Sequence, residues 1–254
     1  MVAVAPPAKI ESRKRKPKGR WSWAWVVFSS VAIAAYFSGQ YAQGTLDELS
    51  RNEAGLASAY ADQPIVVQLT FYVHVVSAGL ALALGPWQFS ERLRARRWAL
   101  HRWLGRVYFV SVAFASLSGL IMSPFNSVGM AGFFGFSALA VLWGWTGWKA
   151  YRAIRERDIR SHQAWVIRNF ALTYAAVTLR LWFGVLTLVQ VPFMDSGDSV
   201  ESIMDNAYLP LSFLCWLPNL VVAEFMIRRR GLPALYITTK PASAVPTSPS
   251  TAEL

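Results

Sequence analysis

Leu93-Arg94-Ala95-Arg96-Arg97-Trp98-Ala99-Leu100-His101-Arg102-Trp103-Leu104-Gly105-Arg106 is a dense basic loop that runs straight into an apolar helix. The pattern returns 61 residues later, where Trp87 aligns with Trp148, Leu93 with Ile154, Arg94 with Arg155, Arg96 with Arg157, His101 with His162 and Phe109 with Phe170. The chain has only 3 histidines, and two of them occupy the same place in this repeated pattern. The echo suggests that two helical hairpins with the same loop chemistry enter from the same side, as a parallel internal repeat does.

Working outward, 54% of the 254 residues are hydrophobic and 12 are Trp. That is too apolar for a soluble domain of this size and reads as a membrane protein. The net charge of +11 does not point to nucleic acid, because the cations are split among short segments lying between apolar runs. A lone cysteine, Cys215, excludes an intramolecular disulfide and any cysteine-rich metal site.

Taken in order, residues 1–20 are a Pro- and Lys/Arg-rich tail without apolar periodicity, expected to be disordered. The run 21–41 is long enough to cross a bilayer, and Gln40 stands where a cleavable signal would want a small residue, so it reads as a retained helix. Further spans are expected near 65–89, 104–123, 130–151, 163–191 and 207–227, with acidic loops at 43–63 and 192–206 and a flexible Pro/Ser/Thr-rich tail over 231–254. The fold class is therefore all-α: an integral membrane six-helix bundle over 21–230, with spans two to five as a four-helix core. Lys and Arg collect at one end, which places both termini in the cytoplasm. Trp21, Trp23, Trp25, Trp87, Trp98, Trp103, Trp148 and Trp165 gather near the same boundary, where an indole buries its ring and keeps its N–H wet.

Six side chains are candidates for binding chemistry. His74 lies within the second span, and an ionisable residue at that depth should face the interior and have a partner. It is either a neutral imidazole bonded to backbone, or an axial ligand or proton relay. Arg180, with no acid in its own helix, needs an anion, carbonyls or water, and a snorkelling side chain is the plain alternative. His101 and His162 stand at matching height on the third and fifth spans, adjacent or diagonal in a four-helix bundle, where their imidazoles could share one ligand such as haem iron. The plain alternative is two interfacial histidines. Arg106 and Arg168 follow them by five and six residues and could line an anion-binding vestibule, although positive-inside bias also accounts for them. Glu224, near the end of the sixth span, is expected to pair with the adjacent arginines 228–230.

Gly85-Pro86-Trp87-Gln88-Phe89, Leu100-His101-Arg102-Trp103-Leu104-Gly105-Arg106-Val107-Tyr108, Ser161-His162-Gln163-Ala164-Trp165-Val166-Ile167-Arg168 and Ala175-Ala176-Val177-Thr178-Leu179-Arg180 carry a resemblance. Over about residues 65–185 the chain resembles a family of prokaryotic membrane proteins catalogued as domain of unknown function 2306. The resemblance implies a bacterial inner-membrane protein with His74, His101, His162, Arg168 and Arg180 at motif positions. Gln163 departs from the Arg expected after the histidine. A looser similarity is to membrane-embedded dihaem b-type cytochromes. There the repeat partner of His74 is Gly135, and two bis-histidine haems would need four histidines where the chain has 3. One haem b held by His101 and His162 is what that similarity leaves.

Three functional readings follow from the sequence. The first is a redox-related protein binding one haem b or a quinone-like cofactor for electron transfer, with His101 and His162 as the iron ligands. The second is a transporter or lipid-binding protein for a small anionic solute or anionic lipid, with Arg106, Arg168 and Arg180 as its polar lining. The third is a structural subunit whose membrane partner supplies the chemistry. All three have the lipid bilayer as partner, and none involves nucleic acid.

Overall fold

A computed structural model of the 254-residue chain describes residues 20–52, 55–193 and 199–235. Both expected tails, save a few residues at their inner edges, and the acidic positions Asp195 and Asp198 lie outside the described residues. Among the described residues there is no strand, and the α-helices are α1 (Arg20–Gln40), α2 (Leu46–Arg51), α3 (Ala57–Ala61), α4 (Ile65–Leu84), α5 (Glu91–Arg96), α6 (Trp98–Met122), α7 (Gly129–Arg155), α8 (Ile159–Thr173), α9 (Ala175–Gln190), α10 (Val200–Leu214) and α11 (Leu217–Arg229).

Six segments are long and apolar enough to cross a membrane, as the sequence predicts. Their outward faces are apolar at helical spacing: Leu69, Val73, Val76 and Leu80 on α4, and Val110, Phe114 and Leu117 on α6, are all exposed. Continuous stripes of this kind would drive aggregation in water and suit a lipid surrounding.

The core is a ring in which α4 packs on α6, α6 on α7 and α7 on α8, which leaves α6 and α8 diagonally opposed. Around it, α1 lies against α4, α10 against α7 and α9, and α11 against α8. Close approach relies on small residues, as is usual where lipid offers no hydrophobic drive for helix association. At Gly135 of α7 an added Cβ would stand 2.7 Å from the Ser212 carbonyl oxygen of α10, so no larger residue fits that crossing.

The 61-residue echo is visible in the helix starts. His101 and His162 donate their backbone N–H groups to Arg97 and Asp158 respectively, each at 3.0 Å, so each is the fourth residue of its helix. The loops before them differ. The first leaves α4 through a 3-10 turn at Gly85–Phe89, opened by Pro86, and then forms α5. In the second, α7 runs unbroken to Arg155 and reverses through Arg157 at a φ of 62°.

Several boundaries depart from the sequence reading. The third helix starts at Trp98, so His101 lies inside it rather than ahead of it. Residues 43–63 are not merely an acidic loop. Thr45 accepts from the Glu48 N–H while Glu48 bonds the Thr45 N–H, and this reciprocal capping box starts α2. Helices α2 and α3 then pack Leu46, Leu49 and Tyr60 onto Val67, Phe71 and Met122, capping that end of the bundle. The fifth and sixth spans, expected to be continuous, are each broken.

Candidate functional site

Helix α8 gives way to α9 at Tyr174, and α10 to α11 at Cys215–Trp216. Pro218, in the first turn of α11, has no N–H to continue the preceding ladder. The carbonyls freed at the two breaks are met by side chains. Thr178 Oγ1 donates to the Cys215 carbonyl at 2.6 Å, and Asn219 Nδ2 donates to the carbonyls of Ala171 at 3.1 Å and Cys215 at 3.0 Å. The Trp216 indole N–H returns to the Ser212 carbonyl at 2.7 Å. Interrupted helices inside a membrane are sustained where protein groups or a cavity satisfy the exposed backbone.

Beside these breaks lies a partly enclosed cavity of about 280 Å³, bounded by α1, α3, α4, α6, α7, α8, α9 and α10. Its walls are mainly apolar, and its polar lining includes His74, Arg180, Tyr41, Tyr60 and Tyr208, with Asn126 and several hydroxyl residues beside them. His74 Nδ1 lies 2.9 Å from the Ala115 carbonyl oxygen. A carbonyl can only accept, so Nδ1 carries the proton and a neutral ring leaves Nε2 as a bare acceptor. The ring sits over Gly119, where a Cβ would come within 3.1 Å of Cε1. His74 keeps partial surface although it is enclosed by helices, and that surface belongs to the cavity.

Arg180 donates to the Ala176 carbonyl at 2.6 Å and stacks its guanidinium 3.9 Å from the Phe37 ring centroid. No acidic residue pairs with it among the described residues. The Ala176 carbonyl thus takes one of its N–H donors. Outside the spans, Tyr41 accepts from the Leu56 N–H at 2.8 Å, which leaves its own hydroxyl proton to donate. Burial pushes the Tyr60 hydroxyl up to about 12, so it too stays a donor.

His101 and His162 lie away from this cavity, at the basic end. They stand diagonally on α6 and α8, within electrostatic range of each other and of Arg94. His162 Nδ1 donates to the Ala150 carbonyl at 2.8 Å, which leaves Nε2 of the neutral ring as an acceptor, while His101 Nδ1 is buried without a partner. Among the described residues no group of three or more His, Cys, Asp or Glu side chains could hold a metal ion. The Phe109 ring lies edge-on to His162, with centroids 6.4 Å apart, and Phe109 in turn meets Tyr108.

The three arginines expected to line one vestibule are not brought together. Arg168 is buried and clasps Glu224 through Nε at 2.5 Å and Nη2 at 3.0 Å, with its guanidinium over Trp165. Glu224 thus pairs with Arg168 of α8 and not with its own helix's arginines, because α11 turns that face onto α8. Arg106 is exposed on the outer side of α6. The three cavity tyrosines escaped the sequence reading: they come from three separate elements, and no local pattern marks them.

A family model described as predicted membrane protein (DUF2306) matches residues 71–227, more than half of the chain and all of the four-helix core from Phe71 onward. Neither the curated proteins nor the solved structures contain a match. The matched region begins three residues before His74 and ends three residues after Glu224, so His74, Arg180, Tyr208 and both repeated histidines fall inside it, while Tyr41 and Tyr60 lie ahead of it. With six membrane-length helices and this match, the chain belongs to the DUF2306 family of multi-pass membrane proteins.

Proposed function

We propose that the protein binds one small amphipathic molecule in the His74–Arg180 cavity, with an anionic oxygen head held by Arg180 and its apolar part against the cavity walls. The observation that carries this is an arginine facing an apolar interior with no acid to balance it among the described residues. An unbalanced cation at membrane depth costs on the order of 3 kcal/mol, which an incoming anion offsets. His74 Nε2 accepts from a hydroxyl of the same head, and the Tyr41 and Tyr60 hydroxyls donate to it. At about 280 Å³ the cavity sits just under the usual range of about 300–1,000 Å³ for small-molecule sites, which suits a single ring or a short chain.

A quinone-like cofactor is the second reading, supported by the same donors, since its carbonyl oxygens need hydrogen bonds and no charge. Arg180→Gln separates the two. It keeps N–H donors and loses the cation, so a quinone stays and an anion leaves. The haem b reading belongs to a different place, and its support is that the Ala150 bond takes Nδ1 of His162 and leaves Nε2 to ligate. Positive-inside bias supports an orientation with the basic end, and with it both termini, on the cytoplasmic side of an inner membrane. Extraction and mass spectrometry of whatever small molecule copurifies in mild detergent tests the proposal. Loss of that molecule from Arg180→Ala is expected, and its retention there sinks the assignment.

A further inference from the structure

A second cavity, of about 650 Å³, is a groove on the outer surface between α4 and α6, lined by Tyr72, Val76, Leu80, Arg106, Val110 and Phe114 among others. Its exposed lining is almost wholly apolar, and the stem of Arg106 forms part of its wall. Arg106 makes no ion pair with any described residue, and Arg102, one turn earlier on the same face of α6, is exposed beside it. Two exposed indoles, Trp98 and Trp103, stand at the same end of the helix and mark the depth of the interface.

Length places the cation at that interface. The third span, Trp98–Phe125, has 28 residues, or about 42 Å of helix against a hydrocarbon core of about 30 Å. Its first turns can therefore stand among headgroups, and Arg106, one turn past Trp103, reaches back to phosphate depth on its flexible stem. Below it the groove continues into the hydrocarbon with the exposed stripe Val110, Phe114 and Leu117.

We infer that this groove is a specific site for an anionic phospholipid, its phosphate on Arg106 and Arg102 and one acyl chain laid along α4 and α6. The choice of occupant rests on charge complementarity. Two neighbouring cations favour a headgroup of net negative charge and repel the ammonium of a zwitterionic choline headgroup. The site is separate from the His74–Arg180 cavity and faces lipid rather than the bundle interior.

Native mass spectrometry of the full chain, released from micelles holding equal phosphatidylglycerol and phosphatidylcholine, reads the site directly. Wild type is expected to retain one phosphatidylglycerol in preference to phosphatidylcholine. Arg106→Gln, an exposed substitution that leaves the fold intact, loses the preference, and Val110→Trp, which fills the groove, loses the bound lipid. Arg180→Ala leaves lipid retention unchanged, so failure of the interior-cavity reading shows up separately. Equal retention of both lipids by wild type, an undiminished preference in Arg106→Gln, or displacement of the lipid by inorganic phosphate would overturn the inference.

Discussion

The Tyr108 hydroxyl donates to Asn169 Oδ1 at 2.7 Å, and these residues stand 61 positions apart, the same offset that separates His101 from His162. A residue thus meets its own counterpart in the sequence echo at the centre of the four-helix core. An axis running parallel to the helices between α6 and α8 would produce that meeting. The bond belongs to a buried network in which Asn169 Nδ2 donates to the Trp143 carbonyl at 2.8 Å and Trp143 Nε1 donates to Thr173 at 2.9 Å. Tyr108→Phe leaves Asn169 Oδ1 without that donor and should cost about 1–2 kcal/mol. Thermal unfolding in detergent measures it, and an unchanged midpoint would contradict the network's role.

The Arg168–Glu224 pair ties α11 to α8, with Arg168 at 3% and Glu224 at 27% side-chain exposure. Arg168→Ala strands a partly buried carboxylate and should lose about 2–4 kcal/mol, discounted from the fully buried case because Glu224 reaches solvent. Glu224→Gln keeps an acceptor for the guanidinium and should cost less. Denaturant unfolding of both variants ranks them, and the reverse order would refute the pairing as the source of the effect.

Asp158 caps α8 by accepting from the Ser161 N–H at 2.9 Å, and bonding to Ser161 holds its carboxyl below the usual carboxylate range. A depressed folded pKa means that the stabilisation is present above the unfolded value and fades as pH falls through the folded one. Acidification should therefore fray the first turn of α8, the turn that carries His162. Hydrogen exchange at the Ser161 amide should quicken below the usual carboxylate range in wild type. In Asp158→Ala it should be fast and lack that pH step.

The number of spans and their common basic end were legible because lipid imposes them: apolar runs of membrane length and segregated Lys/Arg leave local marks in a sequence. Relations between distant elements were not. Arg228 stands one turn from Glu224 on the same helix, yet the packing of α11 on α8 brings that carboxylate to Arg168, which is 56 residues away. Tyr174 is no helix breaker by type, and the interruption there is joined to the Cys215–Trp216 break by the Thr178–Cys215 and Asn219–Ala171 bonds. The capping box Thr45–Glu48 was readable in the sequence, and the cap it starts was missed because acidic composition dominated the reading of 43–63. The sequence marks His74 and Arg180 as polar residues at membrane depth, and the fold puts them on one cavity with Tyr41, Tyr60 and Tyr208.

Gly119 keeps the His74 ring in place, since a Cβ there would press within 3.1 Å of Cε1. Gly119→Ala should tilt the imidazole and weaken binding of the cavity's occupant about tenfold, equivalent to about 1.4 kcal/mol. Quantifying the copurified molecule per protein, next to an unfolding curve, separates lost binding from lost fold. Full occupancy in this variant would show that His74 does not contact the ligand.

Mass spectrometry of small molecules retained by the purified protein, taken together with its absorption spectrum, bears most directly on the cavity assignment. One small amphipathic molecule per chain is expected, present in wild type and in His101→Ala, absent from Arg180→Ala, and unaccompanied by a Soret band. A folded wild type that retains no such molecule would contradict the assignment. So would a Soret band that disappears in His101→Ala and His162→Ala, which would place the ligand at the basic end instead.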